Sequence, residues 1–327
     1  MTADTPQPAT DGAVPNPVET ATRCGFVALI GAPNAGKSTL LNQLVGAKVS
    51  IVTPKVQTTR SRITGIAIEG SNQIIYVDTP GIFEPKRRLD RAMVTAAWSG
   101  VADADASVLL IDAGRAAKAG GIDPDTQRIV ESLKSGAKRG KRGAMLMAIN
   151  KIDMVDRPVL LRMAELLHNE GVFDRIFMIS ALTGDGVRDL RDHLVSMLPP
   201  GPWLYPEDQL SDIPQRLLAA EVTREKAFLL LHEELPYALT VETESWQERK
   251  DGSVRIEQTI FVARDNQRSI VLGEGGRTVK QISMASRKEL GKLFGRTVHL
   301  FLHVKVAEGW ENDPEHYREM GLEFPKE

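Results

Sequence analysis

Short runs of apolar residues alternate with longer stretches of mixed polarity through the first two thirds of the chain. The runs are rich in Ile, Val and Leu and lie at Phe26–Ile30, Ile74–Val77, Val108–Ile111, Met145–Ile149 and Ile176–Ile179. Runs of this kind, spaced by helix-length segments, are typical of parallel strands that are buried on both faces. The pattern therefore predicts a doubly wound α/β domain with a mostly parallel sheet.

The alternation ends at Leu198-Pro199-Pro200-Gly201-Pro202, which can continue neither a helix nor a strand ladder. Beyond it the element order α-β-β-α-α-β predicts a smaller α+β domain. Its predicted elements are a helix at Gln215–Leu231, extended runs near Ala238–Glu244 and Val254–Val262, a glycine-rich turn at Gly273–Gly276, a helix through Phe294 and a strand at Thr297–Val306.

The predicted division of the chain is a disordered tail at 1–22, the α/β domain at 23–199, a linker at 200–213, the second domain at 214–308 and an acidic C-terminal tail at 309–327. Residues 115–143, rich in Gly, Ala, Lys and Arg, predict an exposed insertion between two strands. The relative orientation of the domains is expected to change at Pro199–Pro206.

Composition supports a globular protein, with 42% hydrophobic and 26% charged residues among 327. Cys24 is the single cysteine and predicts a small core residue, so no intramolecular disulfide forms. The chain has neither a signal-peptide pattern nor an apolar run of about 18 residues, which predicts a cytoplasmic protein.

The formal net charge is −2, which by itself argues against a nucleic-acid partner. The charge is unevenly distributed, however: residues 1–22 carry −3, residues 309–327 carry −4 and the body between them carries +5. Residues 264–296 alone account for that +5.

The segment Gly31-Ala32-Pro33-Asn34-Ala35-Gly36-Lys37-Ser38 matches G-x-x-x-x-G-K-[ST] between a predicted strand and a predicted helix at Thr39–Val45. Glycines let backbone N–H groups face phosphates, Lys37 reaches the outer phosphates and the Ser38 hydroxyl binds magnesium. The alternative is a glycine-rich turn without a ligand.

Three further segments favour guanine nucleotides, and each follows a predicted buried strand, where ligands of open α/β sheets bind. Asp78 can hold a water on magnesium, and the Gly81 N–H can meet the terminal phosphate. Asp153 can accept from two guanine N–H donors while Lys151 lies over the ring, and the Ala181 N–H can donate to the guanine oxygen. The segments are Asp78-Thr79-Pro80-Gly81, Asn150-Lys151-Ile152-Asp153 and Ser180-Ala181-Leu182.

Over about residues 23–315 the chain resembles the bacterial Era family, small GTPases of the translation-factor class with a C-terminal KH domain of the second topological type. The resemblance rests on the phosphate-loop segment together with Pro54-Lys55-Val56-Gln57-Thr58-Thr59-Arg60, Asp78-Thr79-Pro80-Gly81-Ile82 and Leu300-Phe301-Leu302-His303-Val304-Lys305-Val306. It implies that Thr59, with Thr58 as neighbour, lies in the first switch and supplies a hydroxyl to magnesium. It also implies a monomeric cytoplasmic protein that binds GTP and GDP, contacts small-subunit ribosomal RNA, and acts in 30S subunit assembly and rRNA processing. Such proteins associate peripherally with the inner face of the cell membrane, which the residues themselves neither support nor exclude.

The catalytic residues expected on this basis are Lys37, Thr59 and Gly81. Ile82 stands where Ras-like enzymes place a water-orienting Gln, so slow intrinsic hydrolysis is predicted. Asn34 either caps the phosphate loop or ligates potassium, as Asn does at this position in related GTPases.

Val271-Leu272-Gly273-Glu274-Gly275-Gly276-Arg277 contains a G-x-x-G turn between two predicted helices, inside the +5 segment. A turn without side chains lets a nucleic-acid backbone approach, and a helix N-terminus favours phosphate. Glu274 opposes phosphate binding, so basic neighbours carry more of the contact. The predicted RNA-binding residues are Arg268, Ile270, Val271, Gly273, Glu274, Gly275, Gly276, Arg277 and Lys280.

Other interpretations remain. A nucleotide-gated binding module with incidental hydrolysis is the second hypothesis, and a P-loop kinase of a small metabolite is disfavoured by the guanine segments. His299 and His303 lie about 13 Å apart on a strand, too far to share one metal ion. The helix at Gln215–Leu231 is either membrane-active or packed under the sheet, with packing favoured.

Overall fold

The structure is a computed structural model that describes residues 22–55, 58–137 and 143–325. The predicted disordered tail, except for Thr22, and the motif residues Val56 and Gln57 lie outside the described residues.

A six-stranded sheet with helices on both faces forms the first domain. Its strand order is β2-β3-β1-β4-β5-β6, and every neighbouring pair is parallel except the antiparallel pair β2 and β3. The elements are β1 (Arg23–Gly31), α1 (Lys37–Val45), β2 (Ile63–Glu69), β3 (Asn72–Asp78), α2 (Arg88–Asp103), β4 (Ala106–Asp112), α3 (Ala113–Lys118), α4 (Pro124–Ala137), β5 (Ala144–Asn150), α5 (Arg157–His168), β6 (Arg175–Met178) and α6 (Val187–Met197).

The central strand β1 explains the continuous apolar runs. Val27 and Leu29 pack into one core cluster with α1 and α6, whereas Ala28 and Ile30 pack into another with α2, α4 and α5. Because successive side chains of a strand point to opposite faces, a strand between two helical layers must be apolar at every position.

Strand β2 was not predicted from the sequence. It is an edge strand, and its Gly65 lies against α1 so closely that a Cβ there would be 2.6 Å from Leu41 Cδ1. The β-branched residues Ile63, Ile66 and Ile68 were the available signal.

The predicted exposed insertion at 115–143 is wrong for its described part. Helix α4 is the crossover between β4 and β5, and its Ile129, Val130 and Leu133 are buried in the core. The polar residues of α4 suggested an exposed segment, but they cover only the outer face of an amphipathic helix.

The second domain is a three-stranded sheet covered by three helices in the predicted order. β8 pairs antiparallel with β7 and parallel with β9. Its elements are α7 (Gln215–Leu230), β7 (Leu239–Glu248), β8 (Val254–Val262), α8 (Asp265–Leu272), α9 (Arg277–Leu293) and β9 (Val298–Val306).

Helix α7 packs under this sheet, which decides between the two interpretations of that segment. Ala220 and Ala227 lie in a core cluster with Leu239 and Ile260 of the sheet. Among the described residues, no helix is both long and apolar enough to cross a membrane.

The linker is held against the edge of the first domain. The Gln73 side chain accepts from the Leu204 and Tyr205 N–H groups at 2.8 and 3.0 Å, and Ser211 Oγ donates to the Thr64 carbonyl at 2.5 Å. A change of orientation at Pro199–Pro206, as expected from the sequence, would have to break the contacts made at 204 and 205.

The acidic C-terminal segment, residues 309–325, is folded rather than a free tail. It contains a 3₁₀ turn at Trp310–Asn312 and helix α10 (Pro314–Glu319). Trp310, Tyr317 and Leu322 are buried in one cluster with Leu89 and Met93 of α2. The segment therefore joins the first domain to the second, since the Trp310 indole N–H donates to the Ala238 carbonyl at 3.3 Å.

We predict that Trp310→Ala lowers the free energy of unfolding by about 3–5 kcal/mol, the usual cost of truncating a large buried aromatic side chain. Trp310 is 1% exposed, whereas Leu161 on α5 is 64% exposed. Leu161→Ala is the control and should change the free energy of unfolding by less than about 0.5 kcal/mol. Urea denaturation measures both, and a similar small effect for the two variants would contradict the packing role of Trp310.

Candidate nucleotide-binding site and RNA interface

A cavity of about 490 Å³ opens at the carboxyl ends of the central strands. This is a size common for small-molecule sites. Its lining residues are Pro33, Asn34, Gly36, Lys37, Ser38, Thr39, Ile51, Val52, Thr53, Pro54, Thr58, Thr59, Gly81, Asp112, Arg115 and Lys151. The structure thus brings the phosphate-loop residues together with the described residues between α1 and β2, 46–55 and 58–62, which we call the switch segment.

The phosphate loop runs from Gly31 to the start of α1 and requires glycine where it turns. Gly36 has φ 98°, and a Cβ there would lie 2.2 Å from Asn150 Nδ2. Asn34 also adopts a left-handed conformation, with φ 63°. This backbone, followed at once by a helix N-terminus, is an arrangement that binds phosphate.

Lys37 is buried at the base of the loop. Its ammonium donates to the Gly31 and Ala32 carbonyls, both at 3.1 Å. Burial lowers the pKa of Lys37 to about 8, and the nearby Asp78 carboxylate partly offsets that effect. The side chain is thus a cation whose charge lacks a full counter-charge.

Three hydroxyl groups converge on the buried carboxylate of Asp78. Ser38 Oγ donates to Asp78 Oδ2 at 2.6 Å, Ser50 Oγ donates to the same oxygen at 3.0 Å, and Thr59 Oγ1 lies 2.9 Å from Ser38 Oγ. The structure therefore brings together the predicted magnesium ligands Ser38, Thr59 and Asp78. Ser50 also belongs to this cluster, and it was not predicted from the sequence.

This cluster suits a hard divalent cation. Burial raises the pKa of the Asp78 carboxyl, while Lys37 and the three hydroxyl groups oppose that shift. Asp78 Oδ1 is buried and has no hydrogen-bond partner in the described part of the chain. A buried oxygen left without a partner costs free energy, and hydroxyl and carboxylate oxygens are the ligands that magnesium prefers.

Asn34 faces the switch segment, because its Nδ2 donates to the Pro54 carbonyl at 3.0 Å. The amide would have to turn to present its oxygen to a cation.

The Asp78-Thr79-Pro80-Gly81 segment lies directly against the phosphate loop. The Ile82 N–H donates to the Gly31 carbonyl at 3.0 Å, and a Cβ on Gly81 would lie 2.9 Å from the Pro33 backbone nitrogen. Thr79 donates to the Leu29 carbonyl, and the Ile82 side chain is buried in the core. Thr79 and Ile82 hence hold the backbone, and Gly81 faces the cavity.

On the side of the cavity where the guanine base is expected, the Asn150 side chain connects two loops. Its Nδ2 donates to the Ala35 carbonyl at 2.8 Å, and its Oδ1 accepts from the Ala181 N–H at 2.9 Å. The structure differs from the prediction at this point: the Ala181 N–H, expected on the guanine oxygen, is engaged by Asn150. The Asn150 side chain satisfies buried backbone groups of two loops. The spacing of the motif along the sequence does not show this role.

Of the remaining predicted base-side residues, Lys151 lines the cavity, whereas Asp153, Ser180 and Leu182 do not. Lys151 has φ 65°, and its ammonium donates to Asp112 Oδ2 at 2.6 Å. Asp153 is exposed in a 3₁₀ turn at Ile152–Met154, Ser180 is buried and Leu182 is exposed.

Asp112 and Arg115 were not predicted as part of the site. Asp112 ends β4, so its position at the carboxyl end of a buried strand was a usable signal. Arg115 donates to the Pro33 carbonyl at 3.3 Å and is held by Asp123 and Asp125, both at 3.0 Å. The hydrogen bond with Asp125 and the nearby carboxylates raise the pKa of Arg115 against the lowering effect of burial.

In the second domain, the turn between α8 and α9 is exposed and open. Gly275 and Gly276 have φ values of 59° and 76°, and a Cβ on either would meet no atom within 4 Å. The neighbouring side chains of Arg268, Arg277 and Lys280 are exposed, and Ile270 is 57% exposed. Glu274 is exposed beside them, at the turn that Gly273 begins.

Val271 is the exception among the predicted RNA-binding residues. It is completely buried in the core of the second domain with Ile260, Ile282 and Val304, so it cannot contact bases. Neighbouring residues on a helix point in different directions, so of Ile270 and Val271 the former faces outward and the latter faces the core.

Helix α7 and the strand that follows it contact the switch segment directly. Glu225 Oε1 accepts from the Val52 N–H at 2.9 Å, and Arg224 donates to the Thr58 carbonyl. Arg60 donates to the Leu239 carbonyl at 2.8 Å and lies over the Trp310 ring. The nucleotide cavity and the second domain therefore share one segment.

Known proteins resemble both domains. Residues 26–151 match a family described as 50S ribosome-binding GTPase, and residues 234–311 match the KH domain family. The GTPase Era of Brucella suis biovar 1 (strain 1330) is 61% identical over 306 residues, 94% of this chain and 95% of the relative. The GTPase Era of Rhizobium meliloti (strain 1021) is 58% identical over 323 residues, 99% of this chain and 98% of the relative.

Two solved structures resemble the whole fold, each with a TM-score of 0.84 and 37% identity over 92% of this chain and 99% of the other. One is a variant of Aquifex aeolicus Era bound to GDP·AlF4⁻. The other is Era in complex with MgGDPNP and nucleotides 1506–1542 of 16S ribosomal RNA. These matches confirm the predicted fold class, a P-loop GTPase domain followed by a KH domain.

We predict that GDP binding takes up most of one proton at about pH 8.5 and little at about pH 7.3, where the phosphates of free GDP are already ionised, because a phosphate beside Lys37 raises its pKa again. In the free protein that pKa is about 8, so the side chain is largely neutral at the higher pH. Calorimetric titration in buffers of different ionisation enthalpy measures the uptake. Equal uptake at the two pH values would show that Lys37 does not change its charge on binding.

Proposed function

The chain belongs to the Era family of GTPases, and we propose that its nucleotide state controls the binding of small-subunit ribosomal RNA during 30S subunit assembly and rRNA processing. One observation carries this proposal. Thr58 and Thr59 are adjacent, yet Arg224 of the KH domain holds the Thr58 carbonyl while the Thr59 hydroxyl lies in the Ser38–Asp78 cluster. A displacement of either residue is transmitted to the other by one peptide bond.

The relatives support the choice of RNA. The family that matches the GTPase domain is described as binding the 50S ribosome. The Era structure that resembles both domains, in contrast, contains nucleotides of 16S ribosomal RNA. The 16S ribosomal RNA is the better guide to the ligand of this chain, because the exposed glycine turn lies in the KH domain. Arg268, Arg277 and Lys280 would contact phosphates there, and Ile270 would meet a base.

GTP hydrolysis in this site depends on positioning and charge. Lys37 and the phosphate-loop N–H groups would hold the outer phosphates, and the Gly81 N–H would meet the terminal one. Ser38, Thr59 and Asp78 would hold magnesium, which neutralises charge that develops on the phosphates. The buried Ile82 side chain cannot orient the attacking water, so a slow intrinsic rate is expected.

A second candidate function is a nucleotide-gated RNA-binding module in which hydrolysis is incidental. The observation that favours it is Ile82, whose side chain packs into the core rather than toward the cavity. The two candidates differ in whether RNA accelerates hydrolysis.

We expect RNA from the 3′ end of 16S ribosomal RNA to accelerate single-turnover GTP hydrolysis, because bound RNA restrains the domain that holds the switch segment. Lys280→Glu should weaken the acceleration, and Glu274→Lys should tighten RNA binding and steepen its salt dependence by about one phosphate contact. The matched control is Lys118→Glu, at an exposed lysine on α3. An identical rate with and without RNA would instead support the gated module.

We further propose that Asn34 takes part in binding a potassium ion that assists hydrolysis. Support comes from its place in the cavity beside the Pro54 carbonyl. Once the Asn34 amide has turned, its oxygen and that carbonyl would both face a cation, and carbonyl and amide oxygens bind such cations. Cytoplasmic localisation stays a prediction from the sequence, and peripheral membrane association and a monomeric state stay implications of the resemblance.

Replacement of potassium by sodium at constant ionic strength should slow GTP turnover by about a hundredfold, the scale of one lost stabiliser of transition-state charge. Asn34→Ala should slow turnover in potassium and remove the difference between the two salts. Asn169→Ala, at an exposed amide directly after α5, is the control. Unchanged turnover in sodium would reject a potassium role.

A further inference from the structure

Four charged side chains form a closed ring where the two domains meet. Lys48 Nζ lies 2.8 Å from Glu225 Oε2, and Lys226 Nζ lies 2.7 Å from the same oxygen. Glu289 closes the ring, since it pairs with Lys48 and also with Lys226, the latter at 2.5 Å. We call these four residues the charge ring.

The ring joins three elements that lie far apart in the sequence. Lys48 belongs to the switch segment, Glu225 and Lys226 to α7, and Glu289 to α9. Helix α9 begins at Arg277, directly after the glycine turn of the RNA interface. The ring therefore connects the segment beside the nucleotide cavity with the helix that presents the RNA-binding residues.

The ring is partly shielded from solvent: Lys226 is 14% exposed, whereas Lys48 and Glu289 are 27% and 25% exposed. The Glu225 side chain is 3% exposed, and its Oε1 accepts from the Val52 N–H at 2.9 Å and from Lys48 Nζ at 3.0 Å. Burial alone would raise the pKa of Glu289, but its hydrogen bonds to Lys226 and Lys48 hold it below the usual range. Burial likewise opposes the charge of Lys226, yet its hydrogen bonds to Glu225 and Glu289 raise its pKa.

Lys48 is the one member of the ring supplied by the GTPase domain. With Lys48 in place, the ring holds two positive and two negative charges. Without it, Glu225 and Glu289 share a single ammonium, and a net negative charge remains on α7 and α9, where the Glu225 side chain is buried. Uncompensated buried charge is costly, so the docked arrangement of the switch segment is favoured.

Helix α9 carries the effect of the ring to the RNA interface. Glu289 lies about three turns along α9 from Arg277, so the ring holds the helix that presents Arg277 and Lys280 against the switch segment. Docking of Lys48 thus favours both the neutral ring and one orientation of the glycine turn relative to the switch segment.

We propose that Lys48 is a positioning residue that couples nucleotide state to RNA affinity by completing the charge ring. This inference rests on the proposed function. A nucleotide that orders the switch segment favours docking of Lys48, docking favours RNA, and RNA in turn favours the ordered switch segment. The Trp310 cluster holds the domains together at a separate place, so loss of the ring does not undo the fold.

The test measures the RNA affinity of the GTP-analogue form and of the GDP form by fluorescence anisotropy, with labelled RNA from the 3′ end of 16S ribosomal RNA. The coupling factor is the dissociation constant of RNA for the GDP form divided by that for the GTP-analogue form. In Lys48→Met this factor should fall at least fivefold toward one, at the scale of a typical coupling free energy, while the affinity for GDP changes less than about twofold. Lys48→Arg should restore most of the coupling because it keeps the charge.

Two further variants separate the ring from a general charge effect. Lys118→Met removes one exposed lysine from the same domain and should leave the coupling factor unchanged. The double variant Lys48→Met with Glu289→Gln should lose no more coupling than Lys48→Met alone, since both changes break one unit.

A wild-type factor above one that Lys48→Met leaves intact would overturn this inference and leave the proposed function standing. Additive losses in the double variant would also overturn it. A wild-type factor of one would overturn both the inference and the proposed nucleotide control of RNA binding.

Discussion

The buried guanidinium of Arg224 governs how the two domains meet. It is 1% exposed, and a charge in such a place must be paired within the protein. Its partners are the Glu221 carboxylate on its own helix and the Thr58 carbonyl of the switch segment. Arg224 therefore keeps its hydrogen bond to Thr58 only where the switch segment lies against α7, and the position of Thr59 follows from that contact.

On the nucleotide side, the site is built around charges that the fold leaves incompletely satisfied. Lys37 and Asp78 are both buried, and burial shifts the pKa of each toward its neutral form. They stabilise each other, but Asp78 Oδ1 has no hydrogen-bond partner among the described residues. A phosphate and a cation would supply the missing counter-charges, so the site is organised for its ligand before the ligand binds.

On the RNA side, the tertiary structure sorts the charges of a nearly neutral chain. Within the positive segment 264–296, Glu289 is turned toward Lys48 and Lys226, and Arg296 pairs with Glu248. The negative C-terminal segment packs on α2, and its His316 pairs with Glu242 of β7. These pairings leave Arg268, Arg277 and Lys280 exposed around the glycine turn, opposed there by Glu274.

The two fold classes and the chemistry of the nucleotide site could be predicted from local patterns in the sequence. Short apolar runs, the spacing from Gly31 to Ser38 and the strand-end segments are local patterns, and the physics behind each acts over a few residues. Contacts between residues far apart in the chain became visible only in the folded protein. Ser50 beside Asp78, Asn150 on Ala181, the burial of Val271 and of α4, the folded C-terminal segment and the ring around Lys48 all belong to this group. Such contacts depend on which side chains the packed elements bring within hydrogen-bond distance and on which charges packing removes from water, and neither leaves a pattern along the sequence.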